Sequence, residues 1–150
     1  MKIYFEIITG GKMEALVLVG HGSRLPYSKE LLEKLAEKIK EKNVFEIVEI
    51  GLMEFNEPTI PQAVKKAIER GAKKIIVVPV FLAHGVHTLR DIPHMLGLEE
   101  KVEIEDNNGH HHHHEHEHLE LPDGVEIIYR DPIGADDRLV DIILDRAFGK

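Results

Sequence analysis

One pattern constrains the fold of this chain more than any other: short apolar runs end in glycine or a polar turn, and a stretch of helical periodicity follows each. Ala15-Leu16-Val17-Leu18-Val19, closed by Gly20, is the first such run. A strand with one wet face would alternate apolar and polar residues. A wholly apolar one suits a parallel sheet covered on both faces by helices. From Ser28 to Lys42, Leu31, Leu32, Leu35, Ala36 and Ile39 fall on one stripe, with Lys and Glu opposite, which predicts an amphipathic helix. Glu30-Lys34 is a favourable i,i+4 pair there, but Glu33-Glu37 and Glu37-Glu41 repel, so the apolar stripe carries the helix.

The pattern recurs down the chain. Val44 to Leu52 predicts a second strand, followed by the polar turn Glu54-Phe55-Asn56-Glu57-Pro58. Thr59 with Gln62 three residues on forms a capping box, Ala63, Val64, Ala67 and Ile68 supply a stripe, and Gly71 ends the helix. Ile75 to Phe81 predicts a third strand. A short helix from His87 or Thr88 to Leu98 follows, limited by Pro93 unless that residue sits in the first turn. Val125 to Tyr129 predicts the fourth core strand. Ala135 to Phe148 predicts the last helix, with Leu139, Ile142, Ile143 and Ala147 inward. Strands alternating with helices imply right-handed crossovers, and so an α/β fold: a doubly wound, mainly parallel four-stranded sheet flanked by helices. Open sheets of this kind hold ligands beyond the carboxyl ends of their strands. The turns at His21, Glu54 and His84 to His87 therefore share one edge.

Composition narrows the functions open to such a domain. The 150 residues, 43% hydrophobic, suffice for one core and one domain. A net charge of −8, from 27 acidic and 19 basic residues with no long Lys/Arg block, gives nucleic acid no track to bind. Cysteine is absent, so a metal site must draw on His, Asp, Glu or water. No stretch approaches the roughly 18 apolar residues of a membrane span. Glu6 breaks the opening apolar run and no small-residue cleavage site follows, so the start does not read as a signal peptide, and a cytoplasmic setting is expected. Gly10-Gly11 and Met13 leave two readings of residues 1–12: a native edge strand, or an extension ahead of a single domain spanning residues 13–150. Before Val125 lies a His-rich loop at about 106–120, with five consecutive histidines from His110 to His114 and then Glu115-His116-Glu117-His118. It is too polar to pack a core of its own, and Pro122-Asp123-Gly124 resumes the domain with turn chemistry.

His21, between two glycines directly after a buried strand, stands where the backbone can turn sharply and a planar ligand can approach. Taken alone it fits a solvated turn as well as a site. His84 and His87, three apart beside Gly85 after another buried strand, tilt the balance, because imidazole suits Co, Ni, Fe and Zn. Gly20-His21-Gly22-Ser23-Arg24 has neither the order of a nucleophile elbow nor the third glycine of a dinucleotide fingerprint. Glu54 and Glu57 either face the crevice or remain solvated in their turn. Arg24 and Arg90 offer forked donors to carboxylates or serve as plain surface charges.

Three segments together resemble the small CbiX-type sirohydrochlorin cobaltochelatases, members of the class II chelatase group related in fold to ferrochelatase. They are Leu16 to Arg24, Met53 to Pro61, and Val78 to His87 continuing to Asp91-Ile92-Pro93, with Asp131-Pro132-Ile133-Gly134 extending the likeness. The resemblance implies a chelatase-like single lobe that inserts Co2+ into sirohydrochlorin in cobalamin biosynthesis. It implies that His21 is a metal ligand and the acceptor of pyrrole protons, and that His87 is the second metal-binding histidine. Glu54 joins the metal or proton path, and Glu57 with Leu82, Ala83, His84, Gly85, Val86 and His87 contacts the substrate. The metal is then a substrate and no permanently bound cofactor is expected. Larger chelatases have two such lobes, so the resemblance also implies a homodimer. Two other readings stay open: a nickel or iron chelatase, and a non-enzymatic metal storage or delivery protein whose working part is the His-rich loop. Within the chelatase reading, that loop loads or buffers metal, or is a dispensable insert.

Overall fold

A computed structural model describes residues 13–98 and 119–150. Residues 1–12 and nearly all of the His-rich loop lie outside the described residues. The elements are β1 (Glu14–Gly20), α1 (Tyr27–Glu41), β2 (Ile47–Leu52), α2 (Ile60–Glu69), β3 (Lys74–Pro79), a π-helical turn (His87–Asp91) running into α3 (Ile92–Met95), β4 (Glu126–Tyr129) and α4 (Asp137–Ala147). The four strands form one sheet in the order β2-β1-β3-β4, and every pairing is parallel. The α/β reading therefore holds, with strands that start or stop within three residues of the expected positions.

The period of two along β1 sorts its side chains to the two faces. Ala15, Val17 and Val19 join Ile47, Ile75, Val77 and Tyr129 beneath α2 and α3, while Leu16 and Leu18 join Val48, Ile50 and Leu52 beneath α1. All six residues from Ala15 to Gly20 are buried, as a central parallel strand requires. Each fully buried Val, Leu or Ile contributes about 1.5–3 kcal/mol relative to exposure, so this strand anchors the domain. Glu49 interrupts the apolar pattern of β2 at 9% exposure, and Arg70 (3.0 Å) and Lys66 (3.6 Å) neutralise its carboxylate. The capping box forms as expected: Thr59 Oγ1 accepts from the Gln62 amide, and the Gln62 side chain accepts from the Thr59 amide.

The two faces are not equally covered. On the α1 side, β1 and β2 are sealed, but Ile76, Val78 and Ile128 of the β3–β4 half are only partly buried. The expectation that Leu139, Ile142, Ile143 and Ala147 point inward is corrected here. Ile142, Ile143 and Ala147 are exposed, Leu139 is intermediate, and no residue of α4 is buried. The helix forms, capped by Asp136, whose carboxylate accepts from the Arg138 amide, but its apolar stripe does not fold back over its own sheet. Its periodicity reports an apolar face without saying what covers that face.

Candidate active site

His21 leaves the carboxyl end of β1 and Glu54 follows β2, and main-chain bonds zip the two turns together. The Met53 amide donates to the Gly20 carbonyl and the Glu54 amide to the His21 carbonyl, both at 3.0 Å, and the Ser23 amide donates to Asn56 Oδ1 at 2.8 Å. Gly22 has φ +88°, and a Cβ placed on it would lie 1.9 Å from the Glu54 carbonyl oxygen. The glycine after His21 thus permits close contact between two loops, a packing reason more direct than open access for a ligand. His21 Nδ1–H donates to the Gly22 carbonyl at 3.0 Å, which turns Nε2 towards Glu54 Oε2, 3.6 Å away. The two side chains keep 41% and 44% exposure, enough for a ligand to reach both.

His87 enters from the third loop. It opens the π-helical turn, in which the Ile92 amide donates to the His87 carbonyl across five residues. Its Nδ1–H donates to Asp91 Oδ2 at 2.8 Å, leaving the Nε2 lone pair for a ligand, and Arg90 Nε donates to the other Asp91 oxygen at 3.2 Å. The His21 and His87 ring centroids stand 4.9 Å apart with planes inclined at 51°. Two histidines distant in sequence are thus brought together with Glu54 beside one of them.

The remaining sequence candidates divide. His84 turns elsewhere: Nδ1 shares a hydrogen bond with Thr88 Oγ1 at 3.1 Å, and Nε2 stands 3.5 Å from Asp131. The loop after β4 is tied to the same segment by the Ile133 amide on the Phe81 carbonyl and the Gly134 amide on the Leu82 carbonyl. His84 therefore braces the loop that presents His87. Leu82, Ala83, Gly85 and Val86 are exposed along that loop, and Glu57 is exposed in the turn after β2. Arg90 is committed to Asp91, while Arg24 lies over the Phe55 ring, its Cζ 5.3 Å from the centroid. Beneath the loop, the Tyr129 hydroxyl donates to the Thr88 carbonyl at 2.8 Å. Burial first, and the Asp131 charge second, push that phenol well above the usual tyrosine range.

Asp91 and Asp131 were not singled out as working residues by the sequence. Asp91 had a signal available, because it lies four residues after His87 at helical spacing. Asp131 had none, since its pairing with His84 depends on the neighbouring placement of β3 and β4.

Two imidazoles and one nearby carboxylate form an incomplete set for a borderline divalent ion. Among the described residues no cluster of three or more His, Asp or Glu side chains forms a metal cage. Such a set can hold an ion without trapping it. A parallel α/β lobe with imidazoles on two strand-end loops has donors suited to a divalent ion at the edge where such sheets hold ligands. The chain belongs to the CbiX family, whose model matches residues 15–149.

The chain is 76% identical over 148 residues to a sirohydrochlorin cobaltochelatase of Methanocaldococcus jannaschii, covering 92% of this chain and 100% of that one. It is 50% identical over 131 residues to one of Methanothermobacter thermautotrophicus, covering 87% and 88%. Among solved structures it is similar to a CbiX protein of Marinobacter aquaeolei, with a TM-score of 0.63 and 32% identity over 89% of this chain and 93% of that one. It is also similar to the sirohydrochlorin chelatase SirB of Bacillus subtilis in complex with cobalt, with a TM-score of 0.69 and 26% identity. That match covers 90% of this chain but 50% of the Bacillus one.

Proposed function

We propose that this protein is an enzyme that inserts Co2+ into sirohydrochlorin in cobalamin biosynthesis. The observation that carries the reading is the pair His21 and His87, 4.9 Å apart at the carboxyl edge of the sheet, with Glu54 3.6 Å from His21. Insertion requires that the ion lose water and that two pyrrole nitrogens lose protons. The Nε2 atoms of His21 and His87 bind the incoming metal. As the macrocycle takes it, His21 Nε2 accepts the two pyrrole protons in turn, and each passes to the Glu54 carboxylate and from that exposed side chain to solvent. Glu57 and the segment Leu82, Ala83, His84, Gly85, Val86 and His87 contact the substrate, with His84 acting chiefly through loop position. The names of the M. jannaschii and M. thermautotrophicus relatives support both the substrate and the metal.

The working form in this reading is a homodimer in the cytoplasm. Among the described residues, no helix is long and apolar enough to cross a membrane. The lobe matches half of the Bacillus chelatase chain. Among the described residues no side chain of α4 is buried and the α1-side face of β3–β4 is only partly covered, and in this reading a second copy covers both. The histidines at 110–118, outside the described residues, load or buffer metal; closely spaced imidazoles exchange such ions readily.

Anaerobic incubation with sirohydrochlorin and Co2+, Ni2+ or Fe2+ in turn, followed by the absorbance change of insertion, tests the proposal. Wild type should accelerate cobalt insertion most, and His21→Ala and His87→Ala should each remove most of the acceleration. No acceleration over the protein-free rate would favour a carrier. Acceleration that survives both substitutions would move the site elsewhere.

A further inference from the structure

Phe55 combines three properties that a residue of no purpose would not keep. It has φ +66°, in the left-handed region that a bulky side chain rarely adopts. The Asn56 amide donates to the Glu54 carbonyl at 2.8 Å across it, so Phe55 is the central residue of a tight, strained γ-turn. Most of the residue stays exposed, at 58%, and among the described residues the ring meets the Arg24 guanidinium, whose Cζ stands 5.3 Å from its centroid. Strain held for so little burial points to a position where conformation serves something other than stability.

The same turn fixes the neighbouring residues. Its Glu54 carbonyl sits against Gly22, its Glu54 carboxylate faces His21, and Asn56 holds the Ser23 amide. An aromatic face and a guanidinium are thus presented together, one residue from Glu54 on one loop and three residues from His21 on the other. A planar ring offers dispersion to a conjugated macrocycle, and an exposed guanidinium offers a forked pair of donors to a carboxylate. In a chain of net charge −8, a local cation is needed to bring in a polyanion.

We propose that Phe55 and Arg24 form a clamp for the tetrapyrrole. The Phe55 ring lies against the macrocycle and Arg24 binds one of its peripheral carboxylates, so the pair determines substrate affinity and orientation without touching the metal. This inference rests on the chelatase reading. Wild-type insertion above the protein-free rate tests that reading, and the variants below test the clamp.

The experiment titrates metal-free sirohydrochlorin into wild type, Phe55→Gly, Phe55→Tyr and Arg24→Gln, with thermal unfolding and sedimentation of each. Glycine accepts φ +66° without strain, so Phe55→Gly should unfold at the same or a higher temperature yet bind about three- to tenfold more weakly, the range set by loss of an aromatic contact. Phe55→Tyr should retain wild-type affinity. Arg24→Gln should weaken binding by a similar factor, and the double variant Phe55→Gly/Arg24→Gln by less than the product of the two. KM for Co2+ should stay at the wild-type value in all four. Unchanged affinity for the tetrapyrrole in Phe55→Gly would overturn the proposal. So would weakened binding that accompanies a lower unfolding temperature or a shift in oligomeric state, since the ring would then be a structural or subunit contact.

Discussion

The carbonyl oxygen of Glu54 occupies the place where a side chain on Gly22 would begin: a Cβ there would stand 1.9 Å from it. The contact joins the loop carrying His21 to the loop carrying Glu54, so the spacing of the proposed proton acceptor and its carboxylate is set by the absence of one methyl group. Gly22→Ala must push the loops apart and also hold alanine at φ +88°. The expected cost is about 2 kcal/mol or more in folding stability. Insertion should fall even where the variant remains folded. Denaturant unfolding and the insertion assay on one preparation check both, and a variant with wild-type turnover would show that this contact does not set the site.

Asp91 is expected to act through His87. Its Oδ2 accepts from His87 Nδ1–H at 2.8 Å and so selects the tautomer with a free Nε2. Partners of this kind are worth about 10- to 100-fold in metal affinity where they have been removed from metal-binding histidines. Asp91→Ala should weaken Co2+ binding by a factor in that range, with Asp91→Asn between it and wild type because an amide oxygen still accepts the bond. Calorimetric titration with Co2+ measures the affinities, and nitrogen shifts of the His87 ring report the tautomer. A wild-type Co2+ affinity in Asp91→Ala would sink the assignment.

How far these relationships were readable from sequence depends on their range. The apolar run Ala15 to Val19 and the Thr59-Gln62 box are local, and both appear where periodicity and capping chemistry place them. His21 and His87 could be brought to one edge by topology alone, because parallel strands deliver their following loops to the same side. The partner of His84 could not, since Asp131 reaches it through the adjacency of β3 and β4 and through main-chain bonds from Ile133 and Gly134. Nor could the role of Gly22, where the deciding atom is a backbone carbonyl that no residue code identifies.

Tyr129 should leave a signature at alkaline pH. Its phenol is held neutral by burial and by Asp131, so its pKa in the fold is raised above the unfolded value near 10. A group shifted in this direction contributes stability that is full below pH ~10 and is lost as pH rises from there through the folded value. Tyr129→Phe removes the hydrogen bond to the Thr88 carbonyl and should cost about 1 kcal/mol at neutral pH. Its stability should then decline less steeply than wild type above pH ~10. Urea unfolding across that range compares the two slopes, and parallel curves would mean that Tyr129 ionises equally in both states.

The last helix provides the sharpest test of assembly. Val140, Ile143 and Leu144 lie on one stripe of α4 at spacings of three and four, all exposed, while Ile76, Val78 and Ile128 on the β3–β4 face are only partly covered. Covering the exposed part of each of these side chains would add a share of the about 1.5–3 kcal/mol that complete burial of such a residue contributes. In the proposed homodimer a second copy would resolve both deficits in one contact, and the symmetry of a closed pair would make it occur twice. Ile143→Lys with Leu144→Glu places charges in that contact while leaving an exposed helix of the monomer chemically sound. Wild type should sediment as a dimer and the double variant as a 17.1 kDa monomer with much reduced insertion. A wild type that remains monomeric at working concentration would refute the homodimer, and a dimer that survives both charges would place its interface away from α4.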